Sequence, residues 1–178
     1  MTPTCQIFLI RGVFTLASEG KDYGPRRDKD IPTLLLRSVG SLGFFGSDTY
    51  RELDARVKSQ LAFEPLIQTD INFVLAAKSD QLDNLAEAIR TGQGLTVATS
   101  NPLQTCTMSE RIGFSLAETI ELNGGVEGTV DDIPDVDAIV DIFDTGSTLE
   151  ANNLVPFACD IERLTIGAAW RKSPGVLK

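Results

Sequence analysis

The sequence has 178 residues, of which 42% are hydrophobic, and its 25 acidic residues outnumber its 16 basic residues to give a formal net charge of −9. This composition, without a long apolar run, is typical of one large globular domain or two small lobes. The acidic balance and the scattered basic residues argue against nucleic acid or an anionic membrane as a partner, and the absence of histidine excludes Ser-His-Asp, Cys-His and histidine-based metal chemistry.

Strand candidates recur along the chain as apolar runs bounded by turn residues. In chain order they are QIFLI (6–10), SLGFF (41–45), NFVLAA (72–77), LTVATS (95–100), AETIEL (117–122), DAIVDIF (137–143) and RLTIGAAW (163–170). Helical spacing is found in IPTLLLRS (31–38), DQLDNLAEAIRTG (80–92), PLQTCTMSERIG (102–113) and STLEANNL (147–154). Strands that alternate with helices predict an α/β fold with a largely parallel sheet.

The segment 80–92 is the clearest predicted helix, because its apolar residues recur on one face. Asp80 is the predicted N-cap of this helix, and Gly92 stands where a C-cap is expected.

The cysteines and the N-terminal segment indicate the compartment. Cys5, Cys106 and Cys159 are widely spaced and form no CxxC pair, which favours reduced thiols in the cytoplasm. The segment MTPTCQIFLIRG carries neither a basic n-region nor a small-residue cleavage site, so no export signal is predicted.

The stretch AIVDIFDTGSTLEANNL (138–154) places acids, hydroxyls and a glycine directly after a predicted strand. A buried parallel strand brings its carboxyl end to the edge of the sheet where open α/β folds bind ligands. A turn with Gly146, followed by a helix, would direct amide N–H groups and hydroxyls outward, and such an arrangement binds a phosphate. Asp141 and Asp144 suit sugar hydroxyls, or a magnesium ion shared with a pyrophosphate. The alternative is that Thr145 and Ser147 cap a helix and that the aspartates are a solvated rim.

The same stretch resembles a known family. DAIVDIFDTGSTLEANNLV (137–155) is similar to the signature of ATP phosphoribosyltransferase, the first enzyme of histidine biosynthesis. LNGGVEG (122–128), RDKDIPTLLLRSVGSLGFFGSD (27–48) and LTVATSNP (95–102) resemble further elements of that family, in the family's order. The combination is more specific than any of these elements alone.

The resemblance implies a fold of two lobes similar to type II periplasmic binding proteins, joined by two crossing strands. Residues 1–72 and 164–178 would form the nucleotide-side lobe, and residues 73–163 the lobe with the sugar-phosphate loop. The implied reaction joins N1 of ATP to C1 of 5-phosphoribosyl pyrophosphate, with Mg²⁺ present and pyrophosphate released. A homo-oligomer is also implied, together with the separate regulatory subunit that the short form of the family uses.

The resemblance also implies roles for individual residues. The loop that binds the 5-phosphate would comprise Asp144, Thr145, Gly146, Ser147 and Thr148. Asp141 would contact the ribose hydroxyls, and Glu127 or Asp137 would assist with the sugar or the metal; Asp141 and Glu127 are the predicted catalytic residues. Gly46 and Asp48 would lie on the nucleotide side. No metal ligand from the protein is predicted. The alternative assigns Glu127 and Asp137 to the surface and makes Asp48 a helix N-cap.

The sequence departs from the family pattern in three places. The family's Lys-Gly-Arg-Leu-like N-terminal loop is not found, which implies a chain shortened at that end. Ser41 replaces an aspartate, and the segment 104–107 replaces basic residues, which predicts weaker anion capture. Two other readings stay open: a non-catalytic module that binds a small anion or nucleotide, and a nucleobase phosphoribosyltransferase with a single Rossmann-like domain.

Overall fold

The computed structural model describes residues 13–18, 21–37, 41–122, 125–133, 135–143 and 146–173. The chain divides into two compact units, of which the first comprises Met1–Thr69 and Leu164–Lys178 and the second comprises Asp70–Arg163. Two 18-residue strands, β4 (Leu61–Lys78) and β8 (Leu154–Arg171), contribute residues to both units.

The first unit is built from a mixed set of strands and short helices. Its elements are β1 (Val13–Ser18), β2 (Lys21–Arg27), a 3-10 turn (Asp28–Asp30), α1 (Ile31–Arg37), β3 (Leu42–Gly46), α2 (Ser47–Glu52) and α3 (Ala55–Gln60). The strand order is β2-β1-β3-β8, and each described pairing among these strands is antiparallel. The buried core consists of Ile31, Leu35, Phe45, Leu61 and Ala169.

The second unit alternates strands with helices. After a 3-10 turn (Ser79–Gln81) come α4 (Leu82–Thr91), β5 (Gly94–Thr99), α5 (Pro102–Ile112), β6 (Ser115–Glu121), α6 (Thr129–Asp132), β7 (Ala138–Phe143) and α7 (Ser147–Ala151). The strand order is β4-β7-β5-β6. β5 runs parallel to both β6 and β7, and β4 runs antiparallel to β7.

Side chains of this second sheet alternate between two buried faces. One face packs against α4 and α5, with a core that includes Leu85, Val97, Met108 and Val140. The other face packs against α7 and the segment 125–128, with a core that includes Ala98, Val126, Ile139 and Leu149. Both faces are apolar because the strands are covered on both sides.

Most predicted elements are confirmed at their predicted places, and the C-cap at Gly92 is confirmed by its φ of +73°. The predicted strand QIFLI lies outside the described residues. The prediction of Asp80 as an N-cap was wrong: Asp80 belongs to the 3-10 turn, and Gln81 occupies the N-cap position of α4 without a side-chain capping bond.

The prediction of a largely parallel sheet was also wrong. Among the six pairs whose register is described, β1–β2, β1–β3, β3–β8 and β4–β7 are antiparallel, and β5–β6 and β5–β7 are parallel. β1 and β2 are separated by only two residues, a connection too short for a parallel crossover. The sequence did not predict a strand over residues 64–70. These residues of β4 are exposed, so burial imposes no alternating apolar pattern on them.

In the described part of the chain, no helix combines the length and the apolar character needed to cross a bilayer.

Candidate functional site

The second unit contains a topological switch point between β5 and β7. Thr99 is paired with Val140 in parallel register, so the carboxyl ends of both strands reach the same edge of the sheet. The helix that follows β5 packs on one face and the helix that follows β7 packs on the other. Open α/β sheets bind ligands at such a point. We call residues 99–101, 141–143 and 146–148 the switch edge.

On the β7 side of the switch edge, Asp141 and Gly146 have defined geometries. The half-buried Asp141 carboxylate accepts the backbone N–H of Ile142 at 2.8 Å. Gly146 has a φ of +76°, and a Cβ at this position would lie 3.1 Å from Phe143 Cε2. The positive φ and the nearby Phe143 ring both favour glycine at this turn. The predicted site residues Asp144 and Thr145 lie outside the described residues.

The helix α7 begins directly at this turn, with Gly146 in its N-cap position. Its first helical hydrogen bond runs from the Glu150 N–H to the Gly146 carbonyl at 3.0 Å, so the amides of residues 147–149 precede the helical ladder. Leu149 is buried in the core below, whereas the Ser147 and Thr148 side chains are exposed. Ser147 is the first helical residue, not the cap that the alternative reading required.

The segment 125–128 is held beside α7. Val126 is fully buried in the same cluster as Leu149. A Cβ built on Gly128 would lie 3.9 Å from Asn152 Oδ1, at the end of α7. The partly buried Glu127 lies between these two anchored positions. The fold therefore brings the segment of Glu127 to the helix that follows β7, although about 20 residues separate them in the chain.

Asp137 is not brought to the switch edge. Its carboxylate accepts the Thr96 N–H at 2.7 Å, and its own N–H donates to the Thr96 carbonyl at 2.9 Å. Asp137 precedes β7, and a strand of six residues spans roughly 20 Å, so it lies at the far end of the strand from Phe143. It lines a separate cleft of about 280 Å³ together with Gln81, Asn84, Leu85, Glu87, Ala88, Gln93 and Leu95.

On the β5 side of the switch edge, the fold places a buried polar cluster that the sequence reading missed. Thr99, Asn101 and Thr105 are all at most 3% exposed. The Thr105 hydroxyl lies 3.0 Å from the Thr99 hydroxyl and 2.9 Å from the Asn101 carbonyl, and the Asn101 N–H donates to Thr99 Oγ1 at 3.0 Å. The signal in the sequence was a run of hydroxyl and amide residues directly after a strand, in VATSN (97–101).

In the first unit, Gly46 and Asp48 lie where β3 passes into α2. Gly46 occupies the N-cap position, and Asp48 lies in the first turn, so Asp48 is not the N-cap. A Cβ on Gly46 would overlap the Asp48 carboxylate. Burial is the main cause that raises the pKa of Asp48, and the Asp28 carboxylate raises it further, while the Thr49 N–H opposes the shift. Thr49 Oγ1 donates to Asp28 Oδ2 at 2.7 Å.

Within the described ranges, the side chains form no cluster of three or more Cys, Asp or Glu suited to a metal ion. Cys106 and Cys159 are exposed free thiols. Cys5 lies outside the described residues.

Two compact α/β units, the second of which contains the switch edge, define a two-unit α/β protein. The family model for ATP phosphoribosyltransferase matches residues 27–167, and the chain belongs to this family. The match covers both the β3–α2 junction and the switch edge.

Curated relatives and a solved structure agree with this assignment. An ATP phosphoribosyltransferase of Symbiobacterium thermophilum is 33% identical over 138 residues, which is 78% of this chain and 59% of the relative. One of Staphylococcus epidermidis is 35% identical over 130 residues, 72% of this chain and 56% of the relative. The chain thus spans less than two thirds of the length of these relatives.

The ATP phosphoribosyl transferase (HisG:HisZ) complex from Thermotoga maritima is similar in fold, with a TM-score of 0.52 and 25% sequence identity over 94% of this chain and 76% of that chain.

Proposed function

We propose that this chain catalyses phosphoribosyl transfer to ATP. In this reaction, the N1 lone pair of adenine forms a bond to C1 of 5-phosphoribosyl pyrophosphate, and the C1–oxygen bond breaks with its electron pair leaving on pyrophosphate. Family membership supports the reaction. The observation that supports the proposed site is the switch between β5 and β7, which brings the described residues 141–143 and 146–148 to one edge of the sheet, where open α/β folds bind ligands.

The 5-phosphate is assigned to the turn at Gly146 and the start of α7. The amides of residues 148 and 149 and the exposed hydroxyl of Thr148 are assigned as donors to the dianion, and Asp144, Thr145 and Ser147 complete the proposed loop. Asp141, at the end of β7, is assigned to the ribose hydroxyls. Glu127, in the segment packed beside α7, is assigned to the developing positive charge on the sugar.

The absence of histidine is compatible with this chemistry. N1 of neutral adenine carries no proton, so the attack requires no general base, and the chain has to supply orientation and charge stabilisation instead. Asp137 has no role in the proposal, since its carboxylate is bound to the Thr96 N–H at the other end of β7.

Magnesium fits the proposed site as an ion that the substrate brings. Mg²⁺ is commonly bound by one or two carboxylates together with substrate phosphates, and the described residues offer single carboxylates instead of a three-residue cluster. Asp141 would hold the ion at the switch edge. When bound, Mg²⁺ neutralises the charge on the leaving pyrophosphate.

The first unit is assigned to the nucleotide, with Gly46 and Asp48 at its β3–α2 junction, so that residues 1–72 with 164–178 and residues 73–163 act as the two lobes. Because the similar Thermotoga maritima protein is a HisG:HisZ complex, we further propose a homo-oligomer that pairs with a regulatory subunit. The reaction consumes ATP, which places the proposed activity in the cytoplasm.

Calorimetric titration with 5-phosphoribosyl pyrophosphate and Mg²⁺, together with an assay of pyrophosphate release in the presence of ATP, tests the proposal. We expect binding that requires Mg²⁺ and release that requires ATP. The double variant Gly146→Ala, Thr148→Ala should bind at least tenfold more weakly while its circular dichroism spectrum stays native. Unchanged binding would refute the site, and binding without pyrophosphate release would refute the reaction.

A further inference from the structure

A buried carboxylate, Glu162 of β8, is bonded to two residues of the same helix. Its Oε2 accepts from Arg111 Nη1 at 2.8 Å and from Gln104 Nε2 at 3.2 Å. Glu162 is 7% exposed and Gln104 is 3% exposed. Arg111 also donates to Asp160 at 3.1 Å. Two positions of α5 that lie seven residues apart, and so on the same helix face, are therefore joined to one strand.

The two bonds differ in strength and in place. The Arg111 bond joins two opposite charges, whereas the Gln104 bond joins a neutral amide to the same carboxylate, and the bond between opposite charges is the shorter and stronger of the two. It lies in the last turn of α5, away from the switch edge. Burial of Glu162 requires such a partner, since an unpaired buried carboxylate is costly. Arg111 thus fixes where the Glu162 carboxylate lies.

The Gln104 bond acts at the other end of the helix. Gln104 is the third residue of α5, next to Thr105, whose N–H forms the first helical bond to the Asn101 carbonyl at 2.9 Å. The Thr105 hydroxyl in turn contacts Thr99 and Asn101 in the buried cluster of the switch edge. The Glu162 carboxylate, fixed by Arg111, thus holds the Gln104 side chain, and Gln104 in turn holds the first turn of α5 directly after β5.

We propose that Gln104 is a positioning residue for the switch edge: through Glu162 it holds the first turn of α5, and hence residues 99–101, in place beside the carboxyl end of β7. The inference rests on the proposed function for the identity of the ligand, the phosphoribosyl pyrophosphate with its Mg²⁺.

The test compares two variants that each change one bond to the same Glu162 oxygen. Gln104→Met keeps the side-chain volume and removes the donor, while Glu162 keeps Arg111. Arg111→Lys keeps the charge and alters the bond at the far end of α5. The readouts are the Tm, the Kd for phosphoribosyl pyrophosphate with Mg²⁺, and hydrogen exchange of the amides of residues 105–108.

We expect Gln104→Met to raise the Kd at least fivefold and to speed exchange at residues 105–108, with a fall in Tm no larger than that of Arg111→Lys. We expect Arg111→Lys to lower the Tm and to leave the Kd within twofold, because the lysine ammonium still pairs with the Glu162 carboxylate and keeps it in place. A Gln104→Met variant with unchanged Kd and exchange would overturn the inference, as would Kd increases that merely follow the loss of Tm in both variants. A parent protein without affinity for phosphoribosyl pyrophosphate would instead refute the proposed function, and the exchange rates would still show whether Gln104 holds the turn.

Discussion

The two junctions of the switch edge differ in how their polar groups are used. After β5, Thr99, Asn101 and Thr105 are buried and hydrogen-bonded to one another. After β7, Ser147 and Thr148 are exposed above a glycine turn. Buried polar groups that bond to one another stabilise the fold, whereas exposed polar side chains can be reached by a ligand. The comparison separates residues that support the site from residues that we expect to contact substrate.

The largest expected effect is on the glycine turn after β7. Alanine at Gly146 adds a Cβ 3.1 Å from Phe143 Cε2 and forces a left-handed backbone, at a cost of about 1–2 kcal/mol. The loop can relieve that strain only by leaving the binding geometry, so affinity for phosphoribosyl pyrophosphate should fall about tenfold or more, which corresponds to 1.4 kcal/mol per factor of ten. Calorimetric titration measures it.

Gly92→Ala is the matched control for this prediction. Gly92 has nearly the same φ, +73°, and no atom within 4 Å of its built Cβ, but it ends α4 away from the switch edge. The control should lose stability by a similar amount and keep its affinity. Equal losses of affinity in the two variants would show that strain alone, and not the loop, causes the effect.

An intermediate effect is expected at the buried junction. Thr105→Val removes a hydroxyl bonded to Thr99 and Asn101, and the loss of a buried hydrogen bond costs about 1–3 kcal/mol. In a chain of this size, each kcal/mol lowers the Tm by roughly 2–4 °C. The exposed counterpart Thr148→Val should change stability by less than about 0.5 kcal/mol and weaken ligand binding instead. If calorimetry shows instead that Thr148→Val lowers stability and Thr105→Val weakens ligand binding alone, the assignment of a supporting role to one junction and a binding role to the other is wrong.

The smallest effect extends the comparison to the junction after β3 in the first unit. Burial raises the pKa of Asp48 above its usual 3.8, so between that value and the raised one the native state binds more protons than the unfolded state. Stability from this group is therefore greatest at low pH and is lost as the pH rises through that window. Asp48→Asn lacks the titration, and its stability relative to the parent should improve from pH 4 to pH 7 in urea unfolding.

Asp83→Asn, which removes an exposed carboxylate on α4, controls for the loss of one negative charge. The opposite outcome is a stability of Asp48→Asn, relative to the parent, that stays constant or falls as the pH rises. Either result would show that ionisation of the buried Asp48 carboxylate does not destabilise the native state.

Prediction from sequence succeeded where local pattern and chemistry coincide. The turn at Gly146 and the helix that follows it are confirmed. A glycine between hydroxyl residues, directly after an apolar strand, favours a turn. The C-cap at Gly92 follows from the same local logic. The antiparallel pairings were missed because they depend on which strands become neighbours.

The same limit applies to the candidate site, where contacts between distant segments could not be predicted from the sequence. The family resemblance grouped Asp137 with the loop residues, yet an extended strand separates successive residues by about 3.3 Å and places Asp137 at the opposite end of β7. Thr99 and Asn101 were overlooked, because only the parallel pairing of β5 with β7 makes them part of the same edge. Asp144 and Thr145 stay predictions.

By itself, the sequence determined the alternation of strands and helices, the family, and a glycine turn at Gly146 that leads into a helix, since each depends on residues within one short segment or on their order along the chain. Tertiary structure alone decided that β5 and β7 end side by side, that their helices leave to opposite faces, and that Glu162 meets Gln104 from 58 residues away. The physical reason is that burial on two faces of a sheet is satisfied by packing between distant segments, and no local pattern specifies which distant segments meet.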